Sequence, residues 1–320
     1  MVAPVLKATL HSLSRDRLNR LGGIERVTLR DLARECREGN GDAGICFEYA
    51  VHEALARRDP LLFPLASEVL EGFCTIQGGA ESILFGPEKE GVIPILESVQ
   101  DALTEDSVVY VGNRGRPPRL RRYVPQIIRA YRRNEERTKL PRSIVGLWKA
   151  DLFLGNHGAD RWVGTTVKIT PATLEGARGL RLGIYPKQNS ADVPRLDDAL
   201  NLVRLPLPYD SDFMEMFYKS FFLVGAFLRA DGRVPTPVNL PDAQDRFITR
   251  ELELRCEFPC VAVIEALQGM AQADLLRAEE ISSLRVDATL SADGLRTSPS
   301  NVPVAESVSI TPLTTTREGA

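Results

Sequence analysis

Histidine is scarce in this chain, with three among 320 residues, and tryptophan scarcer, with two. The five cysteines, Cys36, Cys46, Cys74, Cys256 and Cys260, form no paired knuckle; the nearest two stand four residues apart. A structural zinc site and a disulfide framework both need more than this, and an odd count in apolar surroundings reads as reduced, buried thiols of a cytoplasmic protein. Long apolar runs are also missing. The most hydrophobic stretch, residues 213–229, is interrupted by Glu215 and Lys219, and its longest clean run is Phe221–Leu228. A membrane span needs about 20 apolar residues, so this segment reads as a buried helix, and the N-terminus has no apolar core of signal-peptide type. There is no internal repeat and no phosphate-cradling GxxxxGK[ST] loop. Hydrophobic residues at 43% and charged residues at 26% describe a chain that can bury a sizeable core.

The formal net charge of −3 gives no global basicity, but the charge is unevenly spread. Residues 112–142 hold eleven Lys/Arg against two Glu, a local +9 that leaves −12 for the remainder of the chain. A basic stretch on an acidic protein is the footprint of a phosphate-backbone contact. Arg114, Arg116, Arg119, Arg121, Arg122, Arg132 and Arg133 are the candidate nucleic-acid ligands. The competing reading is a solvated surface whose arginines pair with acidic neighbours.

Apolar spacing in threes and fours predicts helix over residues 10–38, broken at Gly22-Gly23. A turn at 39–44 offers Asn40 or Asp42 as cap of the next helix, 45–58. Further helices are expected from near Leu65 and over 93–103, with a short strand at 107–112. Three β segments follow, 143–155, 160–170 and 179–186, the first two as an antiparallel hairpin. Helical patterns return at 211–230, 242–254 and 259–285, and residues 286–320, rich in Ser and Thr, read as a weakly ordered tail. The expected organisation is a helical region (1–40), an α/β core (41–204), a helical C-terminal region (205–285) and the tail. Phe213, Phe217, Phe221 and Phe222 read as core or as a dimer face.

If the hairpin turn is centred between Gly158 and Ala159, Asp151 lies opposite Thr166, and Thr166 and Lys168 point the same way. An acid, a hydroxyl and an ammonium then share one edge of a two-stranded ribbon. Phosphodiester hydrolysis uses such groups: carboxylates hold Mg²⁺, which polarises the phosphate and activates water, and a lysine offsets the charge of the transition state. The blander reading is a cross-strand ion pair worth under about 1 kcal/mol if exposed. His52 reads as a structural hydrogen-bonder or a catalytic base, and His157, Arg178, Arg181 and Lys187 are candidates for phosphate contacts.

Asp151 on one strand and Thr166-Val167-Lys168 on the next resemble the signature of the restriction-endonuclease-like PD-(D/E)xK nuclease superfamily. The likeness covers roughly 45–187 and is sharp only over 148–187. It implies a central mixed β-sheet flanked by helices, DNA as substrate, Mg²⁺ as cofactor, and a role in restriction or defence against foreign DNA. It also implies a further carboxylate from a preceding helix, for which Glu48 is the candidate and Glu53 and Glu81 the rivals. Asp151 and Glu48 would be the metal ligands and Lys168 the third catalytic residue. Thr166 departs from the pattern, because a neutral hydroxyl is a poor Mg²⁺ ligand. Either Glu48 supplies the missing charge, or the chain is a catalytically inactive DNA-binding or scaffold subunit of a defence or repair complex. A third reading is a helical interaction protein without nucleic acid. Cutting both strands of a duplex would suit a homodimer.

Overall fold

In the computed structural model, residues 1–36, 43–85 and 93–268 are described. Residues 39–42 of the turn expected at 39–44, most of the last helix beyond residue 268 and the tail lie outside them; Ala43 and Gly44 already belong to a helix. The chain opens with helices α1 (Val2–His11), α2 (Arg15–Arg20), α3 (Leu29–Glu35), α4 (Ala43–Ala56) and α5 (Leu62–Cys74). Strand β1 (Glu81–Leu84), helix α6 (Ile93–Ala102), strand β2 (Val108–Tyr110) and helix α7 (Val124–Arg132) follow. Next come β3 (Leu152–Asn156), β4 (Arg161–Val167), β5 (Arg181–Pro186), β6 (Arg195–Asp197) and β7 (Leu202–Leu207). Helices α8 (Asp212–Arg229), α9 (Ala243–Leu254) and α10 (Cys260–Gln268) complete the described chain. No helix among the described residues is long and apolar enough to cross a membrane.

The fold is α/β: one mixed sheet of seven strands flanked by helices, in the order β1-β3-β4-β5-β7-β6, with β2 also pairing β4. β3 runs antiparallel to β1 and β4, while β4, β5 and β7 are parallel to one another. The observed hairpin register pairs Leu152 with Thr165 and Asn156 with Arg161, which centres the turn between Gly158 and Ala159. β4 uses one edge for two partners, pairing β2 along Arg161–Val163 and β5 along Thr165–Val167. The sheet therefore opens at Gly164, where β2 departs and β5 enters. Ile83, Val109, Ile127, Phe153 and Trp162 belong to one buried core cluster, while α4 packs on β1 and β4, and α5 on β7.

Several elements depart from the pattern read in the sequence. Residues 142–149, expected as the start of a strand, form a 3₁₀ helix, and the strand is confined to Leu152–Asn156. The buried side chains explain this: Ile144, Leu147 and Ala150 recur every third residue, the spacing that stacks on one face of a 3₁₀ helix. Strands β1, β6 and β7 carried no usable signal. β1 and β6 are short, and β7 contains Pro206, which removes a backbone donor and ordinarily argues against an inner strand. In the basic stretch, α7 places Ile127 and Ala130 in the core and Arg129 in solvent.

The chain divides into two compact units, one of residues 11–15 and 42–217, the other of 1–10, 16–41 and 218–320. The first holds the whole sheet. In the second, Thr28 and Asp31 form a capping box at the start of α3, and Val27, Leu29 and Arg30 bond to the backbone of residues 256–260. The N-terminal helices, expected as a separate region, thus cluster with the C-terminal ones.

Candidate active site

Eight residues of α4 are buried, from Cys46 to Leu55, and Glu48 is among them at 3% exposure. A carboxylate surrounded by Phe47, Tyr49, Ala50 and Val51 costs folding energy unless a cation or donors meet it. The cation is Lys168, whose Nζ lies 3.2 Å from Glu48 Oε1. Glu53 pairs instead with Arg57, and Glu81 with His157, so neither rival carboxylate takes this place.

Asp151 stands one residue before β3 and is 4% exposed. Its amide donates to the Thr165 carbonyl at 2.8 Å and its own carbonyl accepts from Phe85 at 3.0 Å, so its backbone is held from both neighbouring strands. Asp151 Oδ2 accepts from the Val167 amide at 2.8 Å and from Lys168 Nζ at 2.8 Å. Oδ1 takes neither bond. Lys168 follows β4 directly, and its amide extends the ladder to the Ile184 carbonyl at 2.9 Å. Glu48, Asp151 and Lys168 therefore converge where the ends of β3 and β4 meet α4.

The ammonium is held between two carboxylates with its side chain about a quarter exposed. Burial acts to lower the pKa of Lys168, but the charges of Asp151 and Glu48, and their hydrogen bonds, outweigh it, so the group stays above its ordinary value. Lys168 is thus a fixed positive charge at neutral pH and no proton acceptor. Ionised together, the three groups keep an excess negative charge.

This donor set fits Mg²⁺. The ion takes hard oxygen ligands and is commonly held by one or two carboxylates, with waters and substrate phosphates filling the remaining positions. Two buried carboxylates around one cation supply that inventory. No cluster of three or more His, Cys, Asp or Glu placed to hold a metal is found among the described residues, so the rest of a coordination shell would come from water, phosphate or main chain.

Thr166, the residue that departs from the acidic pattern, is buried and its hydroxyl donates to the Lys149 carbonyl at 2.8 Å. It ties β4 to the segment leading into Asp151. Beside it, Lys149 pairs with Glu175, whose carboxyl is held below its ordinary range chiefly by that hydrogen bond. Arg181, read in the sequence as a phosphate contact, is instead 2% exposed and cannot reach a ligand at the surface. Its Nη2 donates to the Gly146 carbonyl at 2.7 Å, its Nε has no hydrogen-bond partner, and burial lowers its pKa against the opposing charges of Asp151 and Glu175.

The histidines have structural partners. His52 meets the Ser82 hydroxyl at 2.9 Å, and His157 bonds Glu81 and stacks edge-on against Trp162. The basic stretch separates into two groups. Arg119 pairs with Asp106 at 2.7 Å, and Arg121 and Arg122 both approach Glu105, at 3.5 and 3.6 Å. These three are partly neutralised by the acidic turn before β2, as the competing sequence reading expected. Arg114, Arg116 and Arg133 are exposed, and no carboxylate among the described residues pairs with them. The Arg132 side chain lies outside what is described.

Fold and site together define a mixed α/β protein with an acid–lysine–acid cluster at the end of its central hairpin. Compared with protein-family models, with curated proteins and with solved structures, the chain matches none.

Proposed function

We propose that this protein is a Mg²⁺-dependent DNA endonuclease of the restriction-endonuclease-like type, with Glu48 and Asp151 as metal ligands. The observation that carries the reading is the meeting of Glu48, Asp151 and Lys168 within 3.2 Å of one ammonium nitrogen, although 120 residues separate the first from the last. A bound Mg²⁺ would polarise the scissile phosphate and make a coordinated water more acidic. Glu48 and Asp151 supply the negative charge that selects a cation, from backbones fixed by α4 and by the hairpin. Lys168, held charged, offsets the negative charge that grows on phosphorus-bound oxygens. Thr166 anchors the approach to Asp151, so the missing acidic charge at that position is supplied by Glu48 on α4.

One observation favours a second reading, a catalytically inactive DNA-binding subunit. Lys168 already answers both carboxylates with its own charge, as a purely structural ion cluster would. A plasmid assay separates the two. Nicking or linearisation in Mg²⁺, abolished by chelation and restored by added Mg²⁺, is the result expected of the nuclease. Asp151→Asn, which keeps an acceptor for the Val167 amide, and Glu48→Gln should be folded and inert. Cleavage by either variant at the wild-type rate contradicts the assignment, and DNA binding without cleavage across Mg²⁺, Mn²⁺ and Co²⁺ selects the second reading.

A further inference from the structure

A cleft of about 650 Å³ opens beside the split in the sheet, lined by Asn113, Arg114, Arg116, Arg142, Ser143 and Arg178 together with Gly115. Three separate segments build it: the loop leaving β2, the start of the 3₁₀ helix at 142–149, and the loop entering β5. Their backbones are knitted together. The Gly179 amide donates to the Gly112 carbonyl at 2.9 Å, and Asn113 Nδ2 donates to the Arg142 carbonyl at 2.9 Å. Gly179 lies so close to the loop leaving β2 that a Cβ there would fall 2.3 Å from the Asn113 carbonyl oxygen. The β2 loop closes on itself through a bridge between Val108 and Arg119, with Gly112 and Gly115 at positive φ, which projects residues 113–116 outward.

Four arginines line this cleft, and no acidic residue among the described residues does. All four arginines are exposed, and none has an ion-pair partner among the described residues, in contrast to Arg119, Arg121 and Arg122. Against the base of the β2 loop lies a fifth, buried guanidinium, that of Arg181, whose Nη2 and Nε would sit 3.2 Å from a Cβ on Gly112. Like charges gathered without counter-ions are unfavourable unless an anion is to be bound there. Planar donors in a fork match phosphate oxygens, and an Asn amide and a Ser hydroxyl add neutral donors.

We infer that this arginine cleft, and not the basic stretch as a whole, is where the protein grips the phosphodiester backbone of DNA. The inference rests on the nucleic-acid part of the proposed function and is independent of metal and of catalysis. The 3₁₀ segment connects it to the acidic cluster, since Arg142 begins the segment and Lys149, bonded to Thr166, ends it. A 3₁₀ helix rises about 2.0 Å per residue, so the two ends lie roughly 14 Å apart. That is about four nucleotide steps at 3.4 Å each, a reach over which one strand held in the cleft can pass the carboxylates.

The test is binding of fluorescently labelled DNA, single-stranded and duplex, to the full chain by anisotropy in chelator. Arg142→Gln/Arg178→Gln should weaken binding at least about tenfold and reduce the slope of log K against log salt by about 2. Arg114→Gln/Arg116→Gln, in the outer loop, should do the same, while Arg121→Gln/Arg122→Gln should change affinity less than about twofold. Asp151→Asn should bind as the wild type does, so loss of cleavage with retained binding bears on the nuclease reading alone. The inference is overturned if the Arg121/Arg122 pair matters as much as the Arg142/Arg178 pair. It is also overturned if the wild type does not bind DNA at about 50 mM salt, or if it binds inorganic polyphosphate in the cleft and DNA does not compete.

Discussion

Lys168 carries a structural load and, in the proposed function, a chemical one. It balances Glu48 and Asp151, whose side chains are only 4% and 5% exposed. Removing one member of a buried ionic group leaves uncompensated charge and costs about 3–5 kcal/mol. Lys168→Met should therefore lower the urea-unfolding free energy by that order, while Asp151→Asn, which relieves rather than creates an imbalance, should cost less. A smaller loss for Lys168→Met than for Asp151→Asn would show that the ammonium is not the counter-ion of the cluster. The convergence was legible in the sequence at this scale because side chains alternate along a strand and a turn centre fixes the register. Glu48 was legible because a carboxylate amid Phe47, Tyr49, Ala50 and Val51 needs a reason to be there. The roles of the individual arginines were not legible. Arg121 and Arg178 look alike in sequence, and only the fold shows that Glu105 reaches the first and that the second lines a cleft.

Among the elements, the hairpin and α4 were legible because each has strong local periodicity and a clear turn. The 3₁₀ helix at 142–149 was not, since its apolar residues satisfy a strand's composition while their spacing of three belongs to a different helix. Gly179 shows how such elements are locked together. Gly179→Ala would drive a Cβ into the Asn113 carbonyl, and overpacking of this kind typically costs about 1–3 kcal/mol. The variant should lose thermal stability and DNA affinity together, while an unchanged melting temperature would mean that the two loops are not in contact. In the helical unit, α9 buries Asp245 with its Oδ1 lacking a hydrogen-bond partner, near Lys219 at 3.5 Å. Burial raises its pKa, against the attraction of Lys219. A carboxyl whose folded pKa lies above its unfolded one favours folding when protonated, and that benefit is lost as pH rises through the folded value. Asp245→Asn should accordingly be more stable than the wild type at neutral pH, with the difference vanishing below the ordinary value of 3.8. A variant less stable at neutral pH would show that the Lys219 pairing outweighs the burial.

For the molecule as a whole, the α/β class followed from three successive extended segments between helical regions, but the sheet's extent did not. Its edge strands β1 and β6 are short, the inner strand β7 contains proline, and pairing of β5 with β7 is a long-range choice that local pattern does not encode. The segregation of +9 into one stretch also overstated the unpaired basic surface, because part of that charge is answered by Asp106 and Glu105. What remains is a cation-lined cleft and an anionic cluster on the same sheet-bearing unit, one suited to a phosphate backbone and the other to a metal ion. The claim joining them is that Glu48 and Asp151 act together on a divalent cation. Calorimetric titration of Mg²⁺ into the full chain tests it most directly. The account predicts one site in the wild type, lost or weakened at least about tenfold in both Glu48→Gln and Asp151→Asn. Wild-type affinity retained in either variant, or no Mg²⁺ binding with or without duplex DNA, would contradict it.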